Sequence, residues 1–401
     1  MPGWNIHATF AISSPLGYVL SRALLDTPQG CVGSSGPEES TASGRATAAG
    51  TATYARRFPE SAARGHFREA LGLHLSSVGL GTYLGRADAA GDQAYREAIA
   101  AAVAGGINVL DTAVNYREER SERAVGAALA DLAAAGFPRE GVVVATKGGY
   151  VPARDPEKYF EKQIVGRGLA RAEDLVAGCH CMAPGYLRQQ LDRSLENLGL
   201  GSVDIYYLHN PEQQLDEVEP AIFGVRIRAA FEMLEEEVGR GRVGHYGTAT
   251  WNGYRIPPGP RALSLEALVA RAREVAGESH HFRVVQLPFN VGMPEALVAR
   301  TQVVAGATGS LLEAAAELGA IVIGSAPLLQ GRLAHGLPAG LAVTPGLATD
   351  AQRALQIARS APGLTTALVG MARLSHVREN LAVLAVPPLA PAAVAGLLPS
   401  R

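Results

Sequence analysis

Short runs of apolar residues recur along the chain from residue 76 onwards. Eight such runs, rich in β-branched residues, occur at 76–82, 107–111, 142–147, 203–209, 243–249, 283–289, 320–325 and 365–370. They do not alternate between polar and apolar positions, which is typical of strands buried on both faces of a parallel sheet. The pattern therefore predicts eight buried, parallel strands.

The segments between these runs have the periodicity of amphipathic helices. Apolar side chains fall on one face in residues 92–105, and leucines recur at helical spacing in residues 184–198, where Pro184 suits the first turn. Two later helices begin with a capping-box pattern, Ser310 with Glu313 and Thr349 with Gln352. Strands alternating with helices predict an α/β fold, a (β/α)8 TIM barrel.

The ends of the chain lack this regularity. Residues 28–52 are rich in Gly, Ser, Thr and Ala without periodicity, as in a disordered linker. We expect a disordered N-terminal extension at 1–60, the barrel at 61–390 and a C-terminal tail at 391–401. No Lys or Arg precedes the apolar stretch near the N-terminus, so no secretory signal is expected.

The composition narrows the class of function. The 401 residues are 47% hydrophobic and 18% charged, with a net charge of −2 and no basic stripe, which argues against a nucleic-acid or membrane-surface partner. No apolar run approaches the roughly 18 residues of a membrane helix. Three cysteines in a chain of this length indicate a reducing compartment, and we expect a cytoplasmic protein.

A Rossmann fold is the alternative. The sequence "GLGTYLG", residues 79–85, begins within the first run, and Asp111 follows near the place where a Rossmann unit has its ribose-binding acid. The glycine spacing is G-x-G-x-x-x-G rather than G-x-G-x-x-G, eight units exceed the usual six, and Tyr116 has no Rossmann role. These features favour the barrel.

Ionisable residues stand at successive predicted strand ends. Asp111 follows the second run, Lys147 the third and His209 the fourth, and Tyr116 lies five residues after Asp111. In a (β/α)8 barrel, strand ends share the rim that carries the active site. Lys147 is one of only three lysines in a chain with 36 basic residues, so it is less readily explained as surface filler.

This set suits protonation of a carbonyl oxygen. A tyrosine has a pKa of about 10, which a nearby ammonium group would lower. We expect Lys147 to tune Tyr116, Asp111 to anchor Lys147, and His209 to orient the carbonyl. Each residue also has a structural explanation: a loop cap for Asp111, packing for Tyr116 and a core histidine for His209. With no nucleophilic Ser or Cys arrangement, hydride from a bound cofactor is the expected attacking species.

The segments around these residues resemble the aldo-keto reductase superfamily over about residues 65–386. The resemblance rests on "GINVLDTAVNYREERSERAVGAAL", "VVVATKGG", "SLENLGLGSVDIYYLHNPE", "VVQLPFN" and "LVGMARLSHVRENLAVL". It implies an oxidoreductase that transfers hydride between a nicotinamide dinucleotide, NADPH or NADH, and an aldehyde or ketone. Tyr116 would be the general acid/base, and Asp111, Lys147 and His209 the other catalytic residues.

The same resemblance implies a set of cofactor-binding residues: Gly81, Thr82, Asp111, Ala249, Asn252, Gln286, Ser325, Leu328, Gly331, Gly370, Met371, Arg373, Glu379 and Asn380. Some depart from the family pattern. Ala249-Thr250 replaces the Ser-Asn pair that holds the carboxamide, and Ser325 replaces a stacking tyrosine. Only Arg373 is placed to grip a 2′-phosphate, which leaves NADPH and NADH both open. The altered positions also leave an alternative: a dinucleotide-binding regulatory or redox-sensing subunit with little turnover.

Substrate contacts are expected from Tyr83, Tyr150 and Trp251. The segment 148–183 is too long for an ordinary βα loop and begins on the catalytic rim, where such loops carry specificity or act as lids. It ends in "CHC" at 179–181. A closed zinc site needs a fourth ligand, and none is evident, so we expect no metal. We expect a small-molecule carbonyl compound or alcohol as the partner, and no sequence pattern indicates an oligomeric state.

Overall fold

The computed structural model describes residues 44–341 and 346–398, all within one compact unit. The strands are β1 (Phe67–Ala70), β2 (Leu73–Ser76), β3 (Val78–Gly81), β4 (Val109–Asp111), β5 (Val143–Gly148), β6 (Val203–His209), β7 (Val243–Ala249), β8 (Phe282–Pro288), β9 (Gln302–Val304), β10 (Ala307–Gly309), β11 (Ile321–Ser325) and β12 (Leu364–Gly370).

The α-helices are α1 (Ala48–Arg56), α2 (Pro59–Ala63), α3 (Ala89–Ala104), α4 (Arg120–Ala134), α5 (Pro156–Tyr159), α6 (Pro184–Leu198), α7 (Pro220–Gly239), α8 (Leu265–Ala276), α9 (Glu295–Val298), α10 (Leu311–Glu317), α11 (Asp350–Arg359), α12 (Leu374–Leu381) and α13 (Pro391–Leu397).

Eight strands close into a parallel barrel in the order β3-β4-β5-β6-β7-β8-β11-β12, with β12 paired back to β3. These are the eight predicted runs, and the (β/α)8 prediction is confirmed. The strands read as continuous apolar runs because both faces are covered: one by the barrel interior and one by the helices. Parallel pairing brings all eight carboxyl ends to one rim, called here the catalytic rim.

The helices and capping boxes predicted from the sequence are present in the structure. The helix predicted at 184–198 is α6, and that at 92–105 is α3 with its ends displaced by a few residues. Both capping boxes form at the starts of α10 and α11. Ser310 accepts from the Glu313 amide at 3.3 Å, and the Glu313 carboxylate accepts from the Ser310 amide at 2.8 Å.

The opposite end of the barrel is covered by the β1–β2 hairpin, which precedes the first barrel strand. Leu75 is fully buried and belongs to the cluster of apolar side chains inside the barrel. The Arg68 guanidinium donates to the carbonyls of Leu364 and, at 2.9 Å, Thr365. These contacts fasten the hairpin to the start of β12, so the interior is closed on this side.

The predicted boundary at residue 60 is wrong for the described part of the extension. Thr47 caps α1, the Ala46 amide donates to Asp204 at 2.7 Å, and the buried Tyr54 hydroxyl donates to the Val103 carbonyl at 2.5 Å. Burial of Tyr54 supplies the stabilisation that an Ala/Thr/Gly segment lacks by itself. Residues 1–43, with the rest of that prediction, lie outside the described residues.

The predicted tail at 391–401 contains helix α13, in which Val394 is fully buried. Its last residues, 399–401, lie outside the described part. Among the described helices, none combines the length and hydropathy needed to cross a membrane.

A buried histidine lies where the hairpin joins the barrel. His66 is fully buried, with Nδ1 2.9 Å from the Ser77 hydroxyl and Nε2 2.9 Å from the Gly106 carbonyl. The carbonyl can only accept, so Nε2 carries the hydrogen and Nδ1 is the acceptor. Burial lowers the pKa of His66 to about 3, against a smaller opposing effect of the Gly106 carbonyl.

The lowered pKa predicts a loss of stability in acid. Below about pH 6.5 the unfolded chain binds a proton at residue 66 that the folded chain refuses until about pH 3. As the pH is lowered from about 6.5 to about 3, the free energy of unfolding should therefore decrease, by up to about 1.4 kcal/mol per pH unit for this one group. Urea titrations of wild type and His66→Gln at several pH values measure the slope. In the variant, the slope of the free energy of unfolding against pH should be smaller by the contribution of about one proton. Equal slopes in the two proteins would contradict the protonation state assigned to His66.

Candidate active site

The four residues predicted to act together meet on adjacent strands. Asp111 ends β4, Lys147 lies near the end of β5 and His209 ends β6. These strands are direct neighbours in the barrel. Tyr116 lies in the loop after β4, with its ring 5.7 Å from that of His209, centroid to centroid. The topology alone therefore places the four side chains at one sector of the catalytic rim.

Lys147 and Asp111 form a buried ion pair. Lys147 is fully buried, and its Nζ donates to Asp111 Oδ1 at 2.5 Å and to the Thr112 carbonyl at 2.8 Å. The second carboxylate oxygen accepts from Gln286 Nε2 at 2.8 Å. Burial lowers the pKa of Lys147, and the Asp111 carboxylate opposes that effect. The expected anchoring contact is present, and both carboxylate oxygens are engaged.

Tyr116 departs from expectation. Lys147 Nζ lies over the face of its ring, 4.7 Å from the centroid, and the phenolic oxygen makes no hydrogen bond to another described residue. Burial, then the charge of Asp111 and the neighbouring Tyr83, raise the pKa of Tyr116 well above 10. The expected lowering by Lys147 is wrong for this structure, because the phenol has lost its hydration while Asp111 neutralises the ammonium charge. Tyr116 therefore holds its proton throughout the physiological range.

His209 is a neutral imidazole. Burial first, then the charges of Lys147 and His180, lower its pKa well below 6.5. Its Nδ1 is buried and has no hydrogen-bond partner among the described residues. A neutral imidazole offers one N–H donor and one lone pair, so it can hydrogen-bond a carbonyl or hydroxyl oxygen without a change of charge.

The predicted cofactor residues lie in or after six barrel strands. They are Gly81 and Thr82 at and after the end of β3, Asp111 at the end of β4, Ala249 and Asn252 at and after the end of β7, Gln286 in β8, Ser325, Leu328 and Gly331 at and after the end of β11, and Gly370, Met371, Arg373, Glu379 and Asn380 at and after the end of β12. Most stand on the catalytic rim. Met371 and Thr82 are fully buried, Met371 in the apolar core and Thr82 with its hydroxyl on the Asp111 carbonyl, so only their backbones could contact a ligand.

The region after β12 has features suited to a nucleotide. Asn380 is buried, and its Oδ1 has no hydrogen-bond partner among the described residues. Gly370 is exposed, and a Cβ there would meet nothing within 4 Å, so a ligand could approach its backbone closely. Arg373 is exposed and forms no ion pair with a described residue. After β11, Leu329, Gln330 and Gly331 have left-handed φ of 47°, 54° and 92°.

A carboxylate that the sequence analysis missed holds the loop after β7. Glu212 Oε1 accepts from the amides of Trp251, Asn252 and Gly253 at 2.7, 3.1 and 3.2 Å. Burial raises the pKa of Glu212, and these three amides oppose that effect. The contact fixes the backbone of Asn252, a predicted cofactor-binding residue, and of Trp251, a predicted substrate-binding residue. No local pattern identifies it, because the partners are 39 or more residues apart.

The predicted substrate residues also lie on the catalytic rim. Tyr83 is 56% exposed and its ring meets that of Tyr116 edge-on at 5.0 Å. Tyr150 packs against His209 at 4.9 Å. Trp251 is 38% exposed and is the first of the three residues whose amides donate to Glu212. Two of the three therefore contact a predicted catalytic side chain directly.

Two curated proteins are similar to this chain over part of its length. It is 28% identical over 216 residues to a D-threo-aldose 1-dehydrogenase of a Pseudomonas species, covering 54% of this chain and 60% of that protein. It is 35% identical over 142 residues to an NADH-specific methylglyoxal reductase of Escherichia coli, covering 34% and 39%. Residues 77–256 match the family model for the Aldo/keto reductase family. The matched segments of this chain cover less than two thirds of the length of both relatives.

Solved structures of aldo-keto reductases share the barrel fold of this chain. A holo-form enzyme from Bacillus halodurans superimposes with a TM-score of 0.58 at 20% identity, covering 84% of this chain and 97% of that one. An enzyme from Klebsiella pneumoniae, in complex with NADP and acetate, gives a TM-score of 0.55 at 21% identity, covering 82% and 94%. At this identity the likeness establishes the barrel and no more.

The loop that carries Tyr116 is held by a buried arginine, Arg117, which the sequence analysis did not identify. Arg117, Glu118 and Glu119 all have left-handed φ, at 51°, 57° and 67°. The Arg117 guanidinium donates to the Arg86 carbonyl at 2.8 and 2.6 Å and to Asp92 at 2.7 Å. Three consecutive strained residues persist only when such contacts fix them.

We predict that Arg117→Met destabilises the protein far more than Arg120→Met. Both guanidiniums pair with Asp92, but the Arg117 side chain is 2% exposed and that of Arg120 is 37% exposed. Loss of the buried donor should cost roughly 2–4 kcal/mol of unfolding free energy, since it strands buried acceptors, while the exposed pair is worth about 0–1 kcal/mol. Urea unfolding measures both. Equal losses would show that Arg117 does not hold the loop.

Proposed function

We propose that this protein is an NAD(P)(H)-dependent oxidoreductase that interconverts an aldehyde or ketone with its alcohol, with Tyr116 exchanging the proton of the substrate oxygen. The observation that carries the proposal is the fully buried Lys147–Asp111 pair against the ring of Tyr116, with His209 beside it. A buried ion pair contributes little net stability, so this placement on a catalytic rim favours a chemical role.

The four side chains divide the chemistry of a carbonyl reduction. Tyr116 is protonated because burial raises its pKa, so it has a proton to donate to the developing alkoxide. The phenolate formed would gain from the Lys147 ammonium 4.7 Å from its ring. His209 is neutral and has an unpartnered nitrogen, which suits a hydrogen bond to the same substrate oxygen. Asp111 keeps the ammonium in place.

The residues after β11 and β12 fit a nicotinamide dinucleotide, which would supply the hydride for the carbonyl carbon. Asn380 Oδ1, which has no partner among the described residues, suits an amino group of a base. The exposed Gly370 backbone admits a phosphate, and Arg373 forms no competing ion pair within the described part of the chain. The names of similar proteins point the same way, with NADP bound in one and NADH specificity in another.

Replacing Tyr116 by Phe should abolish turnover and leave dinucleotide binding intact. The loss of a general acid is expected to lower kcat by about 10²–10⁴-fold. The assay follows nicotinamide absorbance with a nitrobenzaldehyde and either NADPH or NADH, and binding is followed by cofactor fluorescence. Tyr159→Phe, a tyrosine outside the predicted site, is the matched control and should retain wild-type kcat.

Two outcomes would contradict the proposal. Equal turnover in wild type and Tyr116→Phe would remove Tyr116 from the proton transfer. A wild type that binds dinucleotide but reduces no carbonyl compound would favour the regulatory or redox-sensing alternative, to which the Ala249 and Ser325 departures point.

Arg373 should set the preference for the 2′-phosphate. Its removal in Arg373→Ala is expected to weaken NADPH binding about tenfold, which is the effect of one exposed charged hydrogen bond, and to leave NADH binding unchanged. Arg378→Ala, an exposed arginine on the same helix, is the control. If NADPH and NADH weaken together, Arg373 does not contact the 2′-phosphate. Fluorescence titration of wild type and both variants with NADPH and with NADH measures the six dissociation constants.

A further inference from the structure

The long segment between β5 and α6, residues 149–183, returns to the catalytic rim at the "CHC" sequence. Its two ends pair with each other: Val151 N donates to the Cys179 carbonyl at 2.8 Å, and Cys181 N to the Gly149 carbonyl at 2.9 Å. Gly149 has φ of 136°, and a Cβ there would lie 2.8 Å from His180 Nε2. Glycine at 149 thus lets the two ends close, and the closure brings His180 beside His209.

His180 is part of a directed hydrogen-bond chain. Arg226 Nη1 donates to Gln214 Oε1 at 2.5 Å, which fixes the orientation of the amide because a guanidinium cannot accept. Gln214 Nε2 then donates to His180 Nδ1 at 2.9 Å, and the remaining His180 nitrogen donates to the His209 carbonyl at 2.7 Å. Both ring nitrogens of His180 are engaged, and its tautomer follows from the arginine at the far end.

The ring of His209 is held from the same segment. Tyr150 lies between the two histidines, 5.1 Å from His180 and 4.9 Å from His209, and nearly perpendicular to both rings. Its hydroxyl donates to Gln213 at 2.5 Å and accepts from Asn210 at 3.0 Å. The segment therefore fixes the backbone of His209 through His180 and its imidazole plane through Tyr150.

We propose that His180 is a positioning residue that holds the backbone of His209 and thereby sets where its imidazole meets the substrate carbonyl oxygen. This inference rests on the proposed function, in which His209 contacts that oxygen. The chain Arg226–Gln214–His180–His209 runs from α7 through residues 149–183 to the end of β6, so it couples the long segment to the reacting groups. It requires a neutral His180. Burial is the main cause that lowers the pKa of His180 to about 4, and Arg226 adds to it against the His209 carbonyl.

The first experiment observes His209 directly. Nitrogen-15 NMR of histidine-labelled protein should show His180 as the Nε2–H tautomer in wild type. The His209 imidazole resonances should shift in His180→Phe and stay near the wild-type values in His180→Gln, whose amide can accept from Gln214 and donate to the His209 carbonyl. Lys158→Ala, an exposed change in the same segment, is the control. Unmoved His209 resonances in His180→Phe would overturn the proposal, whether or not the protein turns over.

The second experiment tests the consequence for turnover. His180→Phe should lower kcat for a nitrobenzaldehyde about 10–100-fold, the size expected of a misplaced reacting group, while the dissociation constant of the dinucleotide stays within about twofold. His180→Gln should restore kcat to near wild type. A wild-type kcat in His180→Phe, or equal losses in both variants, would overturn the positioning role.

Arg226→Met provides a second test of the proposal if His180→Phe does not fold. It leaves His180 in place and removes the group that orients Gln214, so both the His209 resonances and kcat should change in the same direction as in His180→Phe. A wild-type His209 spectrum in folded Arg226→Met would contradict the chain. If the wild type is inactive but its NMR spectra are as expected, the proposed function is contradicted and the coupling between His180 and His209 is still supported.

Discussion

The ion pair between Lys147 and Asp111 is the contact on which the catalytic rim depends. It joins β5 to β4, and Gln286 ties the same carboxylate to β8. A charge buried without its partner costs several kcal/mol, so each group requires the other, and the loops must leave both undisturbed. Tyr116 is held against this pair by the loop that follows Asp111, so its environment is set by the same two charges.

The loops around the pair are fixed by single buried polar side chains. Arg117 holds the left-handed turn after Tyr116, Glu212 gathers three amides of the Trp251 turn, and His180 ties residues 149–183 to His209. A loop has no ladder of its own for its backbone groups, so a buried side chain that satisfies several of them replaces that ladder. Buried side-chain hydrogen bonds therefore hold the rim in the places where regular secondary structure ends.

The sequence is informative where local and tertiary preferences agree. The predicted bounds of β6 and β7 match the structure, because a strand buried on both faces leaves an uninterrupted apolar run. The meeting of Asp111, Lys147 and His209 follows from parallel topology alone. Helix α1 was missed, because its Ala/Thr/Gly composition resembles a linker and the burial of Tyr54 is visible only in the fold. The roles of Glu212 and His180 depend on partners 29 to 41 residues away, which no local spacing reveals.

The choice of lysine at position 147 is itself informative in a chain whose 36 basic residues include only three lysines. The site offers two oxygen acceptors, Asp111 and the Thr112 carbonyl, and the faces of the Tyr116 and Tyr207 rings, 4.7 and 6.0 Å from Nζ. An ammonium group has three hydrogens and can meet this arrangement fully, whereas a guanidinium would bring five N–H groups into a space with acceptors for two. The compact ammonium charge can also respond to charge forming on Tyr116 at the moment of proton transfer. This combination of charge, size and donor number favours lysine at position 147.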